Sequence, residues 1–108
     1  MKKIKKFIYL ISPNNIKGDI FYKNLNILLK TKKISHFQLR LKKKNKKMII
    51  SVGKKIKKIC KKNKVKFIIN DKPLIAKKLD ADGCHLGQSD STIQNAQKIL
   101  KKKIIGIT

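Results

Sequence analysis

Short apolar runs alternate with segments of helical periodicity along nearly the whole chain of 108 residues, and this alternation most constrains the fold. Each apolar run has the length of a buried strand, and each segment between two runs places apolar residues at the spacing of one helix face. The predicted strands are 7–11, 36–41, 65–69, 83–86 and 104–107. The predicted helices are 19–30, a stretch with an apolar face at Ile49, Val52, Ile56, Ile59 and Cys60, then 73–79, and a stretch carrying Ile93, Ala96, Ile99 and Leu100.

The regular order of strand and helix predicts an α/β fold with parallel strands and crossover helices. Two architectures fit this order, a doubly wound sheet and a (β/α)8 TIM barrel. The first strand-to-helix junction lacks the G-x-G-x-x-G pattern of dinucleotide-binding sheets, and no P-loop pattern is present. A complete barrel needs roughly 200 residues or more. We therefore expect residues 1–108 to form the first five strands and four helices of one barrel domain, with an open sheet edge through which copies could self-associate.

The formal net charge of +25 places nucleic acid among the partners to consider. The lysines are spread over the whole chain, however, and Arg40 is the only arginine among 30 basic residues. Nucleic-acid surfaces usually use arginine for bidentate contacts, so a basic nucleic-acid-binding module is kept only as an alternative. No apolar run approaches the length of a bilayer span, and the apolar stretch that begins at Phe7 is too short for a signal peptide. We expect a cytoplasmic protein without a membrane partner.

Polar and apolar residues alternate at the end of the second predicted strand. Gln38, Arg40 and Lys42 share one face, and the opposite face carries Phe37, Leu39 and Leu41. We expect the apolar face to pack on helices and the polar face to point into the barrel. A salt-bridged strand end is the alternative, although no acidic residue lies nearby in sequence. A phosphate or diphosphate would suit an arginine fork beside a lysine point charge.

Four of the five acidic residues, all of them aspartates, fall between positions 71 and 90. Asn70 and Asp71 end the third predicted strand, and Asp90 precedes the fourth helix. Alone, either aspartate is best interpreted as a helix cap. Together, on neighbouring strand ends beside two cations, they suit Mg²⁺, which usually takes one or two carboxylates plus substrate phosphates and waters. Asp80 and Asp82 are assigned to the turn that enters the fourth strand.

Cys84 and His85 are adjacent on the fourth predicted strand and therefore point to opposite faces. They cannot easily share one metal ion, so His85 is interpreted as a structural histidine of the barrel interior. The two cysteines, Cys60 and Cys84, show no spacing typical of a disulfide framework or a zinc site.

Four segments of the chain carry polar motifs at the ends of predicted strands: Gln38-Leu39-Arg40-Leu41-Lys42, Asn70-Asp71, the run from Gly83 to Asp90, and Gly106-Ile107-Thr108. In order and spacing they resemble the successive motifs of the thiamine-phosphate synthase family. The H-L-G-Q-x-D segment is specific, and the similarity covers essentially the whole chain. The resemblance implies a (β/α)8 barrel and a transferase of thiamine biosynthesis. Such an enzyme condenses aminopyrimidine-methyl diphosphate with thiazole phosphate and releases diphosphate.

The same resemblance implies roles for individual residues. The predicted site for the pyrimidine diphosphate comprises Gln38, Leu39, Arg40, Leu41, Lys42 and Asn70. Arg40 and Lys42 would also act in catalysis, and Asp71 and Asp90 would bind Mg²⁺. Thr108 falls where the family usually has a serine that contacts the diphosphate, and its hydroxyl could substitute. Leu41 replaces an acidic residue, but its outward position predicts little effect on the chemistry.

The mechanism implied by the resemblance is dissociative. Diphosphate leaves first, and the thiazole nitrogen then attacks the pyrimidine carbocation, so no protein nucleophile is required. Neutralising the charge of the leaving group is the main task, and it falls to Mg²⁺, Arg40 and Lys42. The related thiazole tautomerase shares the barrel, but the joint presence of Arg40, Asp71 and Asp90 favours a synthase. Because the family's remaining strands are absent, we expect weak or no synthase activity from residues 1–108 alone.

Overall fold

The structure is a computed structural model, and it describes residues 8–87, 93–101 and 103–107. Strands and helices alternate along these residues in the predicted order. They are β1 (Ile8–Ile11), α1 (Gly18–Leu29), β2 (Ile34–Leu39), α2 (Lys46–Lys62), β3 (Lys66–Asn70), α3 (Pro73–Lys78), β4 (Gly83–Leu86), α4 (Ile93–Leu100) and β5 (Ile104–Ile107). None of these helices combines the length and the apolar character needed to cross a membrane.

The strands form one parallel sheet in the order β1-β2-β3-β4-β5. Each helix returns the chain to the next strand along, and right-handed crossovers that always step in one direction place their helices on the same face. A doubly wound sheet would instead reverse direction at a switch point. The sequential order is that of a barrel wall, so the predicted α/β barrel class is confirmed for the part of a barrel that this chain supplies.

The hydrophobic core lies between the helices and the sheet face that they cover. Phe37 and Leu39 of β2 and Phe67 and Ile69 of β3 are almost fully buried, and Ile56 of α2 belongs to the same cluster. Burying a side chain of this size contributes about 1.5–3 kcal/mol. The core therefore fixes which face of each strand points away from the helices, and this second face holds the polar residues of interest.

The longest helix, α2, begins at a capping residue that the sequence supplies. The side-chain Oδ1 of Asn45 accepts a hydrogen bond from the backbone N–H of Met48 at 2.8 Å, which satisfies a donor that has no partner within the helix. Ile49, Ile56 and Cys60 make up the buried face of the helix. The lysines between them remain on the solvated side, as the sequence pattern predicts.

The second face of the sheet corresponds to the interior of a barrel. Tyr9 and Ile11 of β1 and Ile104 of β5 are about half exposed on this face, whereas Gln38 and Ile68 at its centre are buried. β1 and β5 are the edge strands of the described sheet, and each pairs with one neighbour in that sheet. Self-association through such an edge stays a prediction.

The main departure from prediction concerns β2, which begins at Ile34 and ends at Leu39 instead of spanning 36–41. The strand ends because the backbone N–H groups that follow it turn to the loop after β1. The N–H of Arg40 donates to Ser12 Oγ at 2.9 Å, and the N–H of Lys42 donates to Asn14 Oδ1 at 2.6 Å. Arg40 and Lys42 therefore lie in the segment just beyond the strand.

Candidate functional site

The loop after β1 holds the segment that carries the two predicted catalytic cations. Ser12 is buried and makes two bonds to this segment: its N–H donates to the carbonyl oxygen of Gln38, and its Oγ accepts from the N–H of Arg40, each at 2.9 Å. Asn14 adds the bond to the N–H of Lys42. Residues 38–42 are thus fixed through their backbone, which leaves the side chains of Arg40 and Lys42 exposed at the carboxyl end of the sheet.

The alternation predicted for this segment continues beyond the end of the strand. Leu39 and Leu41 are both buried in the core, on the side that packs against helices, while Arg40 and Lys42 are exposed. The predicted outward packing of Leu41 is therefore confirmed. Because both leucine side chains are buried, a substrate contact at these two positions would involve their backbone atoms.

Gln38 lies beneath a neighbouring tyrosine on the interior face. Its side-chain Nε2 donates a hydrogen bond to the hydroxyl of Tyr9 at 3.1 Å, and Gln38 is only 2% exposed. The Tyr9 ring stacks on His36, with 5.5 Å between ring centroids and 11° between ring planes. A direct contact between the Gln38 amide and a substrate would therefore require Tyr9 to move aside. The position of Gln38 on the interior face agrees with the prediction.

The ends of β3 and β4 are joined through Asp71. Its N–H donates to the carbonyl oxygen of His85 at 2.8 Å, and its Oδ1 accepts from the N–H of Gly87 at 3.3 Å. Asp71 has a left-handed backbone, with φ of 64°, a conformation in which aspartate is enriched among residues other than glycine. The cap position of α3 falls on Lys72, so the alternative interpretation of Asp71 as the helix cap is wrong. Asn70 pairs in register with His85.

The structure brings Lys42 and Asp71 together across two strands. Lys42 Nζ lies 3.9 Å from Asp71 Oδ2, and the side chains are 52% and 17% exposed respectively. Because the Lys42 ammonium is solvated and the separation is long, the pair contributes no more than about 1 kcal/mol. The pair partly supports the salt-bridge alternative, yet it also places a cation and a carboxylate side by side, as a metal–diphosphate site requires.

Further lysines share a cavity with Asp71. Asp71 borders a cavity of about 390 Å³ whose lining includes Lys44, Lys46 and Lys72. Sequence reasoning did not single out these three residues, because lysine is common throughout the chain and carries no local signal. Only the fold shows that they share a cavity with the aspartate.

The donor set at Asp71 fits a hard cation. Carboxylate oxygens are preferred by Mg²⁺, and one carboxylate is sufficient when substrate phosphates and waters supply the other ligands. Asp71 can supply this one carboxylate, because its side chain is partly accessible at a strand end. Among the residues that the structure describes, no three His, Cys, Asp or Glu side chains lie close enough together to hold a metal ion between them. Asp90 and Thr108, the other predicted ligands of the metal and diphosphate, lie outside the described residues.

The remaining predicted features have structural roles. Cys84 is fully buried in the core, whereas His85 lies on the other face, where a Cβ added at Gly106 would come within 2.7 Å of its Nδ1. Asp82 Oδ2 accepts a hydrogen bond from the N–H of Phe67 at 2.7 Å, so Asp82 belongs to the turn that enters β4, as predicted. Asp80 precedes it in this turn and bonds to Lys103.

Comparisons with known proteins agree with this geometry. A family model described as thiamine monophosphate synthase matches residues 8–108. The chain is 64% identical over 104 residues to the thiamine-phosphate synthase of Pelagibacter ubique, covering 96% of this chain and 50% of that protein. It is 40% identical over 108 residues to the thiamine-phosphate synthase of Campylobacter jejuni, covering 98% of this chain and 51% of the relative.

The fold is also similar to a solved structure, the thiamine phosphate pyrophosphorylase from Pyrococcus furiosus. The TM-score is 0.81 at 25% identity, and the match covers 95% of this chain and 49% of that one. The chain thus spans about half the length of the proteins that it matches. From the family match and the two sequence relatives together, we conclude that the chain belongs to the thiamine monophosphate synthase family.

Proposed function

We propose that this chain supplies the diphosphate-binding half of a Mg²⁺-dependent thiamine-phosphate synthase. The substrates would be aminopyrimidine-methyl diphosphate and thiazole phosphate, and the products thiamine phosphate and diphosphate. The observation that carries the proposal is the pairing of Lys42 with Asp71 at 3.9 Å, at the carboxyl end of a barrel-type sheet and beside Arg40. Functional residues of parallel α/β folds gather at this end of the sheet.

Arg40 and Lys42 suit the two tasks that a diphosphate leaving group sets. The planar guanidinium of Arg40 can bind two phosphate oxygens at once, and the ammonium of Lys42 can follow charge that develops as the bond to carbon breaks. Both backbones are fixed by the loop after β1, so little reorganisation is needed during the reaction. Preorganised charge of this kind is often the largest contribution to catalysis.

Asp71, together with Asp90, would hold the metal ion. A bound Mg²⁺ would supply Lewis-acid neutralisation of the diphosphate. Asp71 is well suited to this role because its backbone is held between β3 and β4, which orients the carboxylate towards Lys42. Asn70 and Thr108 would contact the diphosphate, and the backbone of residues 39–41 would line the site.

Isothermal titration calorimetry of the chain with aminopyrimidine-methyl diphosphate and Mg²⁺ tests this proposal. Arg40→Lys keeps the charge but removes the bidentate fork, and we expect about tenfold weaker binding. Asp90→Ala should weaken the Mg²⁺-dependent part of the binding, because one of the two proposed carboxylate ligands is lost. Asp19→Asn, which removes an exposed carboxylate in the first turn of α1, is the matched control and should bind as wild type. Unchanged Mg²⁺-dependent affinity in both site variants would overturn the proposed site.

A further inference from the structure

A second cluster of cations lies at the opposite end of the sheet, near the amino ends of β3, β4 and β5. A cavity of about 380 Å³ there is lined by Lys57, Lys61, Lys64, Lys66 and Lys103, with Asp80 and Asp82. This volume lies within the range of typical small-molecule sites, about 300–1,000 Å³. The lysine-lined cavity is separate from the site proposed above, which occupies the carboxyl ends of the strands.

Both carboxylates of the lysine-lined cavity are already engaged. Asp82 Oδ2 accepts the hydrogen bond from the N–H of Phe67. Asp80 Oδ1 accepts from Lys103 Nζ at 2.8 Å, and Asp80 Oδ2 lies 3.9 Å from Lys57 Nζ. The hydrogen bond and charge of Lys103, followed by the charge of Lys57, hold the pKa of Asp80 below its usual range. The lining thus sets five lysines against two carboxylates, an excess of three positive charges.

The other described lysines of the cavity are less closely compensated, although the charge of Lys61 also helps to lower the pKa of Asp80. Within the described parts of the chain, Lys61, Lys64 and Lys66 form no ion pair with a carboxylate. The negative end of the α2 dipole accounts for Lys61, which lies in the last turn of that helix. It does not account for Lys66, which lies at the start of β3.

The fold therefore gathers cations from separate segments around one concave surface. Ordinary surface lysines spread apart in water, where their mutual repulsion is lowest. Here the end of α2, the start of β3 and the turn before β5 each contribute to the same cavity. Concave walls focus the positive potential, and a multivalent anion would relieve the repulsion.

We propose that the lysine-lined cavity binds a small anion carrying two or more phosphate groups. Lysine ammonium groups on flexible stems recognise phosphate oxygens as point charges and impose little geometric selection. The aromatic residue of the lining, Phe67, is almost fully buried and offers no surface on which a nucleobase could stack. Recognition thus depends on the phosphates alone, and it is independent of the thiamine-phosphate synthase proposal.

Helix α2 provides a matched pair of variants for the test. Lys57→Gln/Lys61→Gln removes two cations that line the cavity, four positions apart on one face of the helix. Lys58→Gln/Lys62→Gln makes the same two substitutions one residue further along, on lysines outside the lining. Both variants have the same net charge, so a general attraction between a chain of charge +25 and a polyanion affects them equally.

Inorganic triphosphate, titrated without Mg²⁺ at low ionic strength, is the probe, and NMR of backbone amides is the readout. We expect saturable chemical-shift changes at the backbone amides of Val65, Phe67 and Lys103. Lys57→Gln/Lys61→Gln should bind about tenfold more weakly, because two charge-assisted contacts are lost. Lys58→Gln/Lys62→Gln, the control, should weaken binding less than about twofold, because salt screens charges that lie away from the bound anion. ATP should bind within about threefold of inorganic triphosphate, a difference well below 1.4 kcal/mol.

Several results would overturn the proposal. Equal weakening in the two variants would show that only net charge matters. Chemical-shift changes confined to the amides of Asn70 and Gly87 would place the anion at the carboxyl end of the sheet. ATP binding much more tightly than triphosphate would show that the phosphates alone do not account for recognition. Single-stranded RNA binding that is much tighter and equally sensitive to both lysine pairs would indicate a nucleic-acid surface instead.

Discussion

Ser12→Ala tests whether the loop after β1 holds the catalytic segment in place. The substitution removes the Oγ that accepts the N–H of Arg40 at 2.9 Å, in a residue that is itself buried. The Arg40 N–H is only partly buried, so water can replace part of the lost bond, and we expect a cost of about 1 kcal/mol. For a domain of this size that corresponds to a decrease in Tm of about 4–8 °C. Urea denaturation followed by circular dichroism measures the free energy of unfolding.

The same variant should bind aminopyrimidine-methyl diphosphate more weakly, because Arg40 loses the anchor of its backbone. Ser51→Ala is the control, because Ser51 is an exposed residue of α2. Its effect on unfolding should stay within about 0.5 kcal/mol, as for most surface substitutions. Wild-type stability together with wild-type substrate affinity in Ser12→Ala would refute the anchoring role of this loop.

Three further predictions concern the fold. Asp82→Ala should lower the free energy of unfolding by about 1–3 kcal/mol, measured in urea, because the N–H of Phe67 loses its acceptor; a change no larger than that of an exposed control would contradict this. The hydrogen bond from Lys103 is the main reason why the pKa of Asp80 is lowered in the folded chain. The ionised Asp80 carboxylate therefore stabilises the fold above its unfolded pKa, and this stabilisation is lost as pH falls through the folded pKa. Asp80→Asn should therefore have a lower urea midpoint than wild type near neutral pH and match it in acid; a difference that persists in acid would count against the ion pairs. Burial raises the pKa of the Cys60 thiol to about 12, so iodoacetamide at pH 8 should label Cys60 only after unfolding. Mass spectrometry measures the labelling, and rapid labelling of the native chain would refute the burial of Cys60.

Hydrophobic periodicity was sufficient to predict the order of strands and helices, whereas the choice of a barrel also needed the missing G-x-G-x-x-G pattern and the family resemblance. The apolar faces of α2 and of the five strands repeat with periods that differ clearly, and their alternation specifies a parallel sheet. The end of β2 could not be located in this way. It depends on Ser12 and Asn14, whose side chains capture backbone N–H groups that lie far away in sequence.

The candidate site was predictable in its residue types but less so in its contacts. Arg40 and Asp71 are conspicuous because arginine and acidic residues are rare in this chain. The contact between Lys42 and Asp71 depends on strand register and on the left-handed backbone of Asp71, neither of which the sequence specifies locally. The covering of Gln38 by Tyr9 likewise arises from the pairing of β1 with β2.

The central claim, a metal–diphosphate site at the carboxyl ends of β3 and β4, is tested most directly by paramagnetic NMR. Mn²⁺ replaces Mg²⁺ and is added together with aminopyrimidine-methyl diphosphate. We predict selective broadening of the backbone amides of Asp71 and Gly87, with little effect on Val65 and Lys103 at the other end of the sheet. Broadening centred on Val65 and Lys103, or spread evenly over the chain, would contradict the account.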